Sequence, residues 1–129
     1  KVFIDRSDSK SKHCKIINND VVIDFFKKLN FRIYRLSNLS FNEQIKIFNN
    51  SKIIVGVHGA GLTNFVFCKK NTKILEIRNK PNPNKVYEKI GFFNNLKYRT
   101  FKVDEIKNNK FGDMIIDIKK LQNQIKYLL

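Results

Sequence analysis

Short apolar runs alternate with stretches of helical spacing along most of the chain. Runs rich in Val, Ile, Phe and Tyr occupy residues 2–4, 32–36, 53–57, 74–77 and 98–103. Runs of this length indicate strands, and their alternation with helical segments is typical of βα units. The pattern therefore predicts an α/β fold, a three-layer Rossmann-like domain with a mostly parallel sheet.

Two helices are indicated before the third strand. The first has one apolar face, formed by Val21, Val22, Phe25, Phe26 and Leu29. Ahead of the second, Ser40 and Glu43 stand at the spacing of a capping box, in which each residue caps the other's backbone N–H. We therefore expect a helix that begins at Phe41.

The second half of the chain predicts three further helices and one loop. The stretch "LTNFVF", residues 62–67, indicates a short helix, and residues 86–90 indicate another. Between them, two prolines among asparagines in residues 79–85 predict a loop. A longer terminal helix is expected from about Asp113, with an apolar stripe of Ile115, Ile118, Leu121, Ile125 and Leu128.

Length and composition are those of one compact domain. The 129 residues suit a single domain over residues 1–129, and the 42% hydrophobic fraction is enough for one core. No apolar run approaches the roughly 20 residues that span a bilayer. The chain starts without Met and directly in a strand-like run, so we expect it to be a segment of a longer polypeptide.

A net charge of +15 suits polyanionic partners, yet the excess is mainly Lys spread through every segment without a basic block. We interpret most of it as compositional bias. A nucleic-acid or polyanion-binding module stays an alternative, and it predicts clustered lysines with exposed aromatic rings. Most Phe residues instead stand at core-like positions, so no nucleic acid is expected as a partner.

The stretch "VGVHGAGLTNFVF", residues 55–67, holds three of the five glycines within six residues, around one of two histidines. It follows the most apolar predicted strand, and ligands of doubly wound sheets bind beyond the carboxyl ends of the strands. Gly59 and Gly61 would let the backbone approach a diphosphate, with free helix N–H groups aimed at it. The spacing matches neither the dinucleotide fingerprint nor the P-loop, so a plain turn stays an alternative. No metal ligand stands at suitable spacing to His58, and no metal site is predicted.

Residues 39–77, "LSFNEQIKIFNNSKIIVGVHGAGLTNFVFCKKNTKILEI", resemble the signature block of the family 61 glycosyltransferases. That block has a helix with an E-Q pair, an apolar strand, the motif G-x-H-G-A-G-L-T-N, and a strand ending in Glu. The upstream residues 2–20, "VFIDRSDSKSKHCKIINND", are similar to the family's first strand, Arg and basic stretch. The resemblance extends over roughly residues 2–103.

The resemblance implies one half of a GT-B type enzyme, the carboxyl-terminal domain that holds a nucleotide sugar. It implies inverting transfer of a sugar, generally from a UDP-sugar, to a glycan or glycoprotein acceptor. The amino-terminal domain would lie outside this segment and commonly supplies the general base, so the segment alone would bind without catalysing. No cofactor and no required metal are implied. An inactive relative that keeps the fold is the further alternative, and no compartment is predicted.

Site residues are carried over by position. Backbone N–H groups of the glycine turn and the His58 side chain would stabilise the charge that develops on the leaving diphosphate. Arg6 and Lys15 would neutralise phosphate oxygens, Glu76 would accept both ribose hydroxyls, and Asn64 would contact sugar or phosphate. The alternatives are surface cations for Arg6 and Lys15 and plain exposure for Glu76; Lys15 also stands where the family more usually has Arg. The turn residues concerned are Gly59, Ala60, Gly61, Leu62 and Thr63.

Overall fold

The computed structural model describes residues 1–10, 13–109 and 111–129. Two positions of the upstream motif, residues 11 and 12, lie outside the described residues. The strands are β1 (Val2–Ile4), β2 (Arg32–Tyr34), β3 (Ile53–Val57), β4 (Lys73–Asn79) and β5 (Lys97–Val103). The α-helices are α1 (Asn19–Lys28), α2 (Phe41–Asn50), α3 (Val86–Phe93) and α4 (Ile118–Lys126), and 3-10 helices cover Leu36–Asn38 and Ala60–Phe67.

The five strands form one parallel sheet in the order β2-β1-β3-β4-β5. The chain winds outward from β1 to β2 and then, from β3 onward, in the opposite direction. Such a doubly wound sheet has a crevice at the carboxyl ends of the two strands where the order reverses. Here those strands are β1 and β3, which pair between Val2 and Ile54 and between Ile4 and Gly56.

Helices cover both faces of the sheet, which confirms the predicted three-layer α/β fold. On one face α1 and α4 bury an apolar cluster that includes Phe3, Phe26, Val55, Leu75 and Leu121. On the other face α2, α3 and the 3-10 helix Ala60–Phe67 bury a second cluster that includes Phe48, Ile54, Leu62, Phe65 and Ile74. The two clusters pack against opposite faces of the sheet, and the loops at its carboxyl end follow from these packed strands.

Local signals place most element boundaries. The predicted capping box is present: Glu43 N–H donates to the Ser40 hydroxyl at 3.4 Å, and the Ser40 N–H donates to the Glu43 carboxylate at 2.7 Å. Accordingly α2 begins at Phe41. The bounds of β1 and β3 are also as predicted. Residues 80–85 form the expected loop, whereas Asn79, assigned to it, ends β4.

The terminal helix was predicted to begin near Asp113, and that boundary is wrong. Met114 is fully buried and bridges to Ile16 and Glu105, which keeps this stretch extended. The helix begins at Ile118, after Asp117, whose carboxylate accepts the Lys120 N–H at 3.1 Å as an N-cap. Ile115, assigned to the apolar stripe, is therefore exposed.

The second predicted strand is also shorter than expected, because a 3-10 turn starts at Leu36. Among the described residues, no helix is both long enough and apolar enough to span a bilayer.

Candidate functional site

The glycine-rich turn follows directly from β3. The His58 N–H donates to the Ile77 carbonyl at 2.8 Å, so the backbone stays paired with β4 up to the turn. Gly59 then caps the 3-10 helix Ala60–Phe67. The first N–H groups of a helix have no partner within it, and here these are the N–H groups of Ala60 and Gly61. The Leu62 N–H, expected to face the diphosphate, instead donates to the Gly59 carbonyl at 2.9 Å.

A cavity of about 410 Å³ opens beside this turn. It lies at the carboxyl ends of β1 and β3, the point where the strand order reverses. Its lining joins the end of β1, the turn and the start of the first 3-10 helix, with Arg6, Asp8, Ser37, Gly59, Ala60 and Gly61 among the contributors. The structure thus brings the predicted Arg6 and the predicted turn together on one cavity.

Arg6 lies across the turn at Gly59. A Cβ added to Gly59 would be 2.4 Å from Nε of Arg6 and 2.8 Å from its Cδ. The missing side chain is therefore what lets the guanidinium lie against the backbone. Nη1 of Arg6 donates to the His13 carbonyl at 2.5 Å, which fixes one end of the group. Among the described residues its other donors have no hydrogen-bond partner.

A buried carboxylate supports the loop that carries Arg6. Asp5 is 1% exposed and accepts hydrogen bonds from Ser7 N–H and Oγ, Asn19 and Arg35 at 2.7 to 3.0 Å. Burial acts to raise the pKa of Asp5, but the hydrogen bonds from Ser7, Arg35 and Asn19 together outweigh it and hold the pKa below its ordinary value. Asp5 was not singled out from the sequence; the signal was Asx-turn spacing between Asp5 and Ser7.

On the other side of the turn, His58 joins a buried polar cluster. Its Nδ1 is 2.5 Å from Oε1 of Glu76, and the Tyr98 hydroxyl donates to Oε2 of the same carboxylate at 2.5 Å. Nη1 of Arg78 lies 3.9 Å from Oε2. Glu76 is 1% exposed, so its whole environment is protein.

This placement differs from the role expected for Glu76. The sequence predicted a carboxylate that accepts two ribose hydroxyls, or else an exposed one. In the structure both oxygens already have protein partners and the side chain is buried. With Nδ1 held by Glu76, Nε2 is the nitrogen of His58 that remains for a ligand.

Tyr98 and Arg78 were missed by sequence reasoning. Burial, and next to it the Glu76 carboxylate, raise the pKa of Tyr98, so its hydroxyl stays protonated as a donor. Arg78 is 4% exposed and donates to the Asn84 carbonyl, which ties the loop after β4 to the cluster. Its Nε is a buried donor without a partner among the described residues. The available signal was Glu-x-Arg alternation, which puts both side chains on one face of a strand.

Like His58 and Glu76, the remaining predicted residues are not among those that line the cavity. Lys15 is exposed and lines a smaller neighbouring cavity of about 100 Å³, which it shares with Arg6. Asn64 is buried, and its Nδ2 donates to Gln44 at 2.8 Å. Since Gln44 belongs to α2, this bond connects the 3-10 helix Ala60–Phe67 to α2. Gln44 also donates to the Leu36 and Leu39 carbonyls, which connects the same helices to the segment before α2. Thr63 is exposed on the first turn of that helix.

A parallel doubly wound sheet with a glycine-lined cavity at its reversal point, here lined also by Arg6, defines a class of ligand-binding α/β domains. The model of the family described as Glycosyltransferase 61 matches residues 1–75, more than half of the chain. The chain therefore belongs to glycosyltransferase family 61. The matched part contains Arg6 and the whole glycine turn, whereas Glu76, Arg78 and Tyr98 follow it.

Individual relatives agree with the family. An EGF domain-specific O-linked N-acetylglucosamine transferase of Drosophila melanogaster is 28% identical over 104 residues, 78% of this chain and 20% of the relative. The Gallus gallus protein of that name is 34% identical over 70 residues, 50% of this chain and 13% of the relative. Xylan glycosyltransferase MUCI21 of Arabidopsis thaliana is 35% identical over 65 residues, 48% of this chain and 13% of the relative. The chain thus spans a fifth or less of the length of these relatives.

Proposed function

We propose that this chain is the donor-binding half of a GT-B type glycosyltransferase that transfers a sugar from a UDP-sugar with inversion. The observation that carries the proposal is the cavity of about 410 Å³ at the β1 and β3 ends, where Arg6 and the Gly59 turn meet. The acceptor would be a glycan or a glycoprotein. The named activities of the relatives, one on EGF domains and one on xylan, support an acceptor of this kind.

The diphosphate is the part of the donor that this cavity suits. During transfer, negative charge builds up on the leaving diphosphate, and fixed dipoles and cations lower the barrier most when they are already in place. The Ala60 and Gly61 N–H groups supply the dipoles and Arg6 supplies the cation. Lys15, next to Arg6 across the smaller cavity, adds a second positive charge. These groups would neutralise charge in the way that a divalent ion does in other transferases.

We assign His58 to the donor and Glu76 to the positioning of His58. The carboxylate holds Nδ1, and the Tyr87 ring packs edge-on against the imidazole with 5.1 Å between centroids. A ring fixed on both sides presents Nε2 in one direction without an entropy cost at the time of binding. In this proposal Glu76 does not contact the ribose, as first expected, but orients His58, which contacts the donor. The general base would come from the other domain, across the cleft.

Isothermal titration of the 129-residue chain with UDP and then with UDP-sugars tests the proposal. We expect one site per chain and a roughly tenfold weaker affinity in His58→Ala, the effect of one charge-assisted hydrogen bond. His13→Ala is the matched control: it removes the other histidine but keeps the carbonyl that holds Arg6. Glu76→Gln should weaken binding less than His58→Ala, because an amide oxygen can still accept from Nδ1.

Two results would overturn the proposal. One is a folded chain that binds no nucleotide. The other is tight, salt-dependent binding to RNA that His58→Ala leaves unchanged, since this would favour the polyanion-binding alternative.

A further inference from the structure

Two adjacent phenylalanines project into solvent at the end of α3. Phe92 and Phe93 are 78% and 77% exposed, and their rings lie edge to face with 5.6 Å between centroids. The residues of α3 that are buried, Tyr87 and Gly91, lie on its inner face. A pair of bulky aromatic rings left outside the core is a feature that marks interaction surfaces.

Lysines surround this pair. One shallow cavity, of about 640 Å³, joins both rings to Lys85 and Lys89, with Glu88 as the acidic residue among its lining. A second, of about 520 Å³, joins the same rings to Lys70 and Lys97. We call this surface the aromatic-lysine edge and define it by Phe92, Phe93, Leu96, Lys70, Lys89 and Lys97.

The edge lies at the amino-terminal ends of β4 and β5. Lys97 opens β5 and its N–H donates to the Thr72 carbonyl at 2.9 Å, while the Asn71 N–H donates to the Asn95 carbonyl at 2.9 Å. The glycine turn lies at the opposite, carboxyl end of the sheet. The seven residues of β4 extend over roughly 20 Å at the usual rise of a strand. A partner bound at the edge therefore leaves the candidate site open.

We propose that the aromatic-lysine edge docks on an anionic phospholipid surface. Phe92 and Phe93 enter the boundary between headgroups and acyl chains, and the lysines stay among the negatively charged headgroups. Aromatic side chains with a basic rim bind membrane interfaces in this way, and each Lys near the surface adds electrostatic attraction. The proposal does not depend on the donor-binding function.

Lysine placement favours a membrane over a protein partner. Lysine is depleted in protein interfaces, because closing a dry interface removes water from its ammonium group. A headgroup layer is hydrated and anionic, so lysines that bind it keep their water and gain opposite charge.

Cosedimentation of the 129-residue chain with vesicles of phosphatidylcholine, with and without phosphatidylserine, tests the proposal. We expect binding to the phosphatidylserine vesicles that weakens with added salt. The double variant Phe92→Ser/Phe93→Ser should lower the partition coefficient at least about tenfold, because two exposed rings no longer enter the interface. Lys70→Gln/Lys97→Gln should lower the partition coefficient roughly 25-fold, at about fivefold for each lysine.

Matched controls come from the other end of the sheet. Phe41 is 61% exposed at the start of α2, and Lys119 is exposed at the start of α4. Phe41→Ser and Lys119→Gln should leave vesicle binding unchanged, and all variants should keep the wild-type unfolding temperature. Three results would overturn the proposal. The chain does not bind phosphatidylserine vesicles, or the control variants lose as much vesicle binding as the edge variants. The third is that the edge variants lose binding to an RNA oligonucleotide while the wild-type chain does not bind vesicles.

Discussion

Substituting Gly59 with alanine should weaken nucleotide binding while leaving the fold intact. Gly59 has a φ of 163° and a ψ of 168°, an extended conformation that alanine also adopts. Backbone strain is therefore not expected, and the free energy of unfolding should change by less than about 1 kcal/mol. The new Cβ, however, would stand 2.4 Å from Nε of Arg6.

The Arg6 guanidinium must move to relieve that contact. An ordinary carbon contact is about 3.5 Å, so the displacement is roughly 1 Å, which is enough to break the alignment of a phosphate hydrogen bond. A hydrogen bond to a charged group contributes about 1.5 to 3 kcal/mol. We therefore expect UDP affinity to fall about ten- to 150-fold in Gly59→Ala.

A double-mutant cycle with Arg6→Ala, measured by isothermal titration with UDP, isolates the cause. If the alanine at position 59 acts by displacing Arg6, then Gly59→Ala should leave the UDP affinity almost unchanged in the Arg6→Ala background. Arg99→Ala is the matched control, because Arg99 is an exposed arginine on β5 that packs over the Tyr127 ring. Equal losses from Gly59→Ala in both backgrounds, or no loss in the wild-type background, would refute the reasoning.

Two further predictions concern the supports of the site. In the folded chain the pKa of Asp5 lies below its ordinary value of 3.8. The ionised carboxylate therefore stabilises the fold above pH 3.8, and this stabilisation is lost as the pH falls through the folded pKa. Asp5→Asn removes the carboxylate. We expect a deficit of about 2 kcal/mol near neutral pH that shrinks below about pH 4 in urea unfolding; a deficit that does not change with pH would contradict this. Tyr98→Phe removes the hydroxyl that donates to Oε2 of Glu76 at 2.5 Å. It should lower the free energy of unfolding by about 1 to 3 kcal/mol. Tyr127→Phe, at an exposed tyrosine, should cost almost nothing in the same assay.

Features that depend on neighbours in sequence could be predicted from the sequence. The capping box of Ser40 and Glu43 lies within one helical turn, so the start of α2 followed from local spacing. The strands were recognisable because each is a short apolar run, and their alternation with helices predicted the three layers. The glycine turn, with its His, could be placed at the exit of β3 for the same reason.

Features that depend on contacts between distant segments could not. The environment of Glu76 is set by Tyr98 on the next strand and by His58 directly after the previous one, and that register is absent from any local pattern. The start of α4 was misplaced because Met114 is held extended by Ile16, almost a hundred positions away in sequence. Local helical spacing around Asp113 was real, but long-range packing outweighed it.

The central claim is that the glycine turn holds the diphosphate of a nucleotide sugar. Its most direct test is to titrate the isotope-labelled chain with UDP and to record the NMR chemical shifts of the backbone amides at each step. The account predicts that the Gly59, Ala60 and Gly61 amides shift most, and that uridine alone moves them far less. Large UDP-induced shifts elsewhere, with these three amides unmoved in a folded chain, would contradict it.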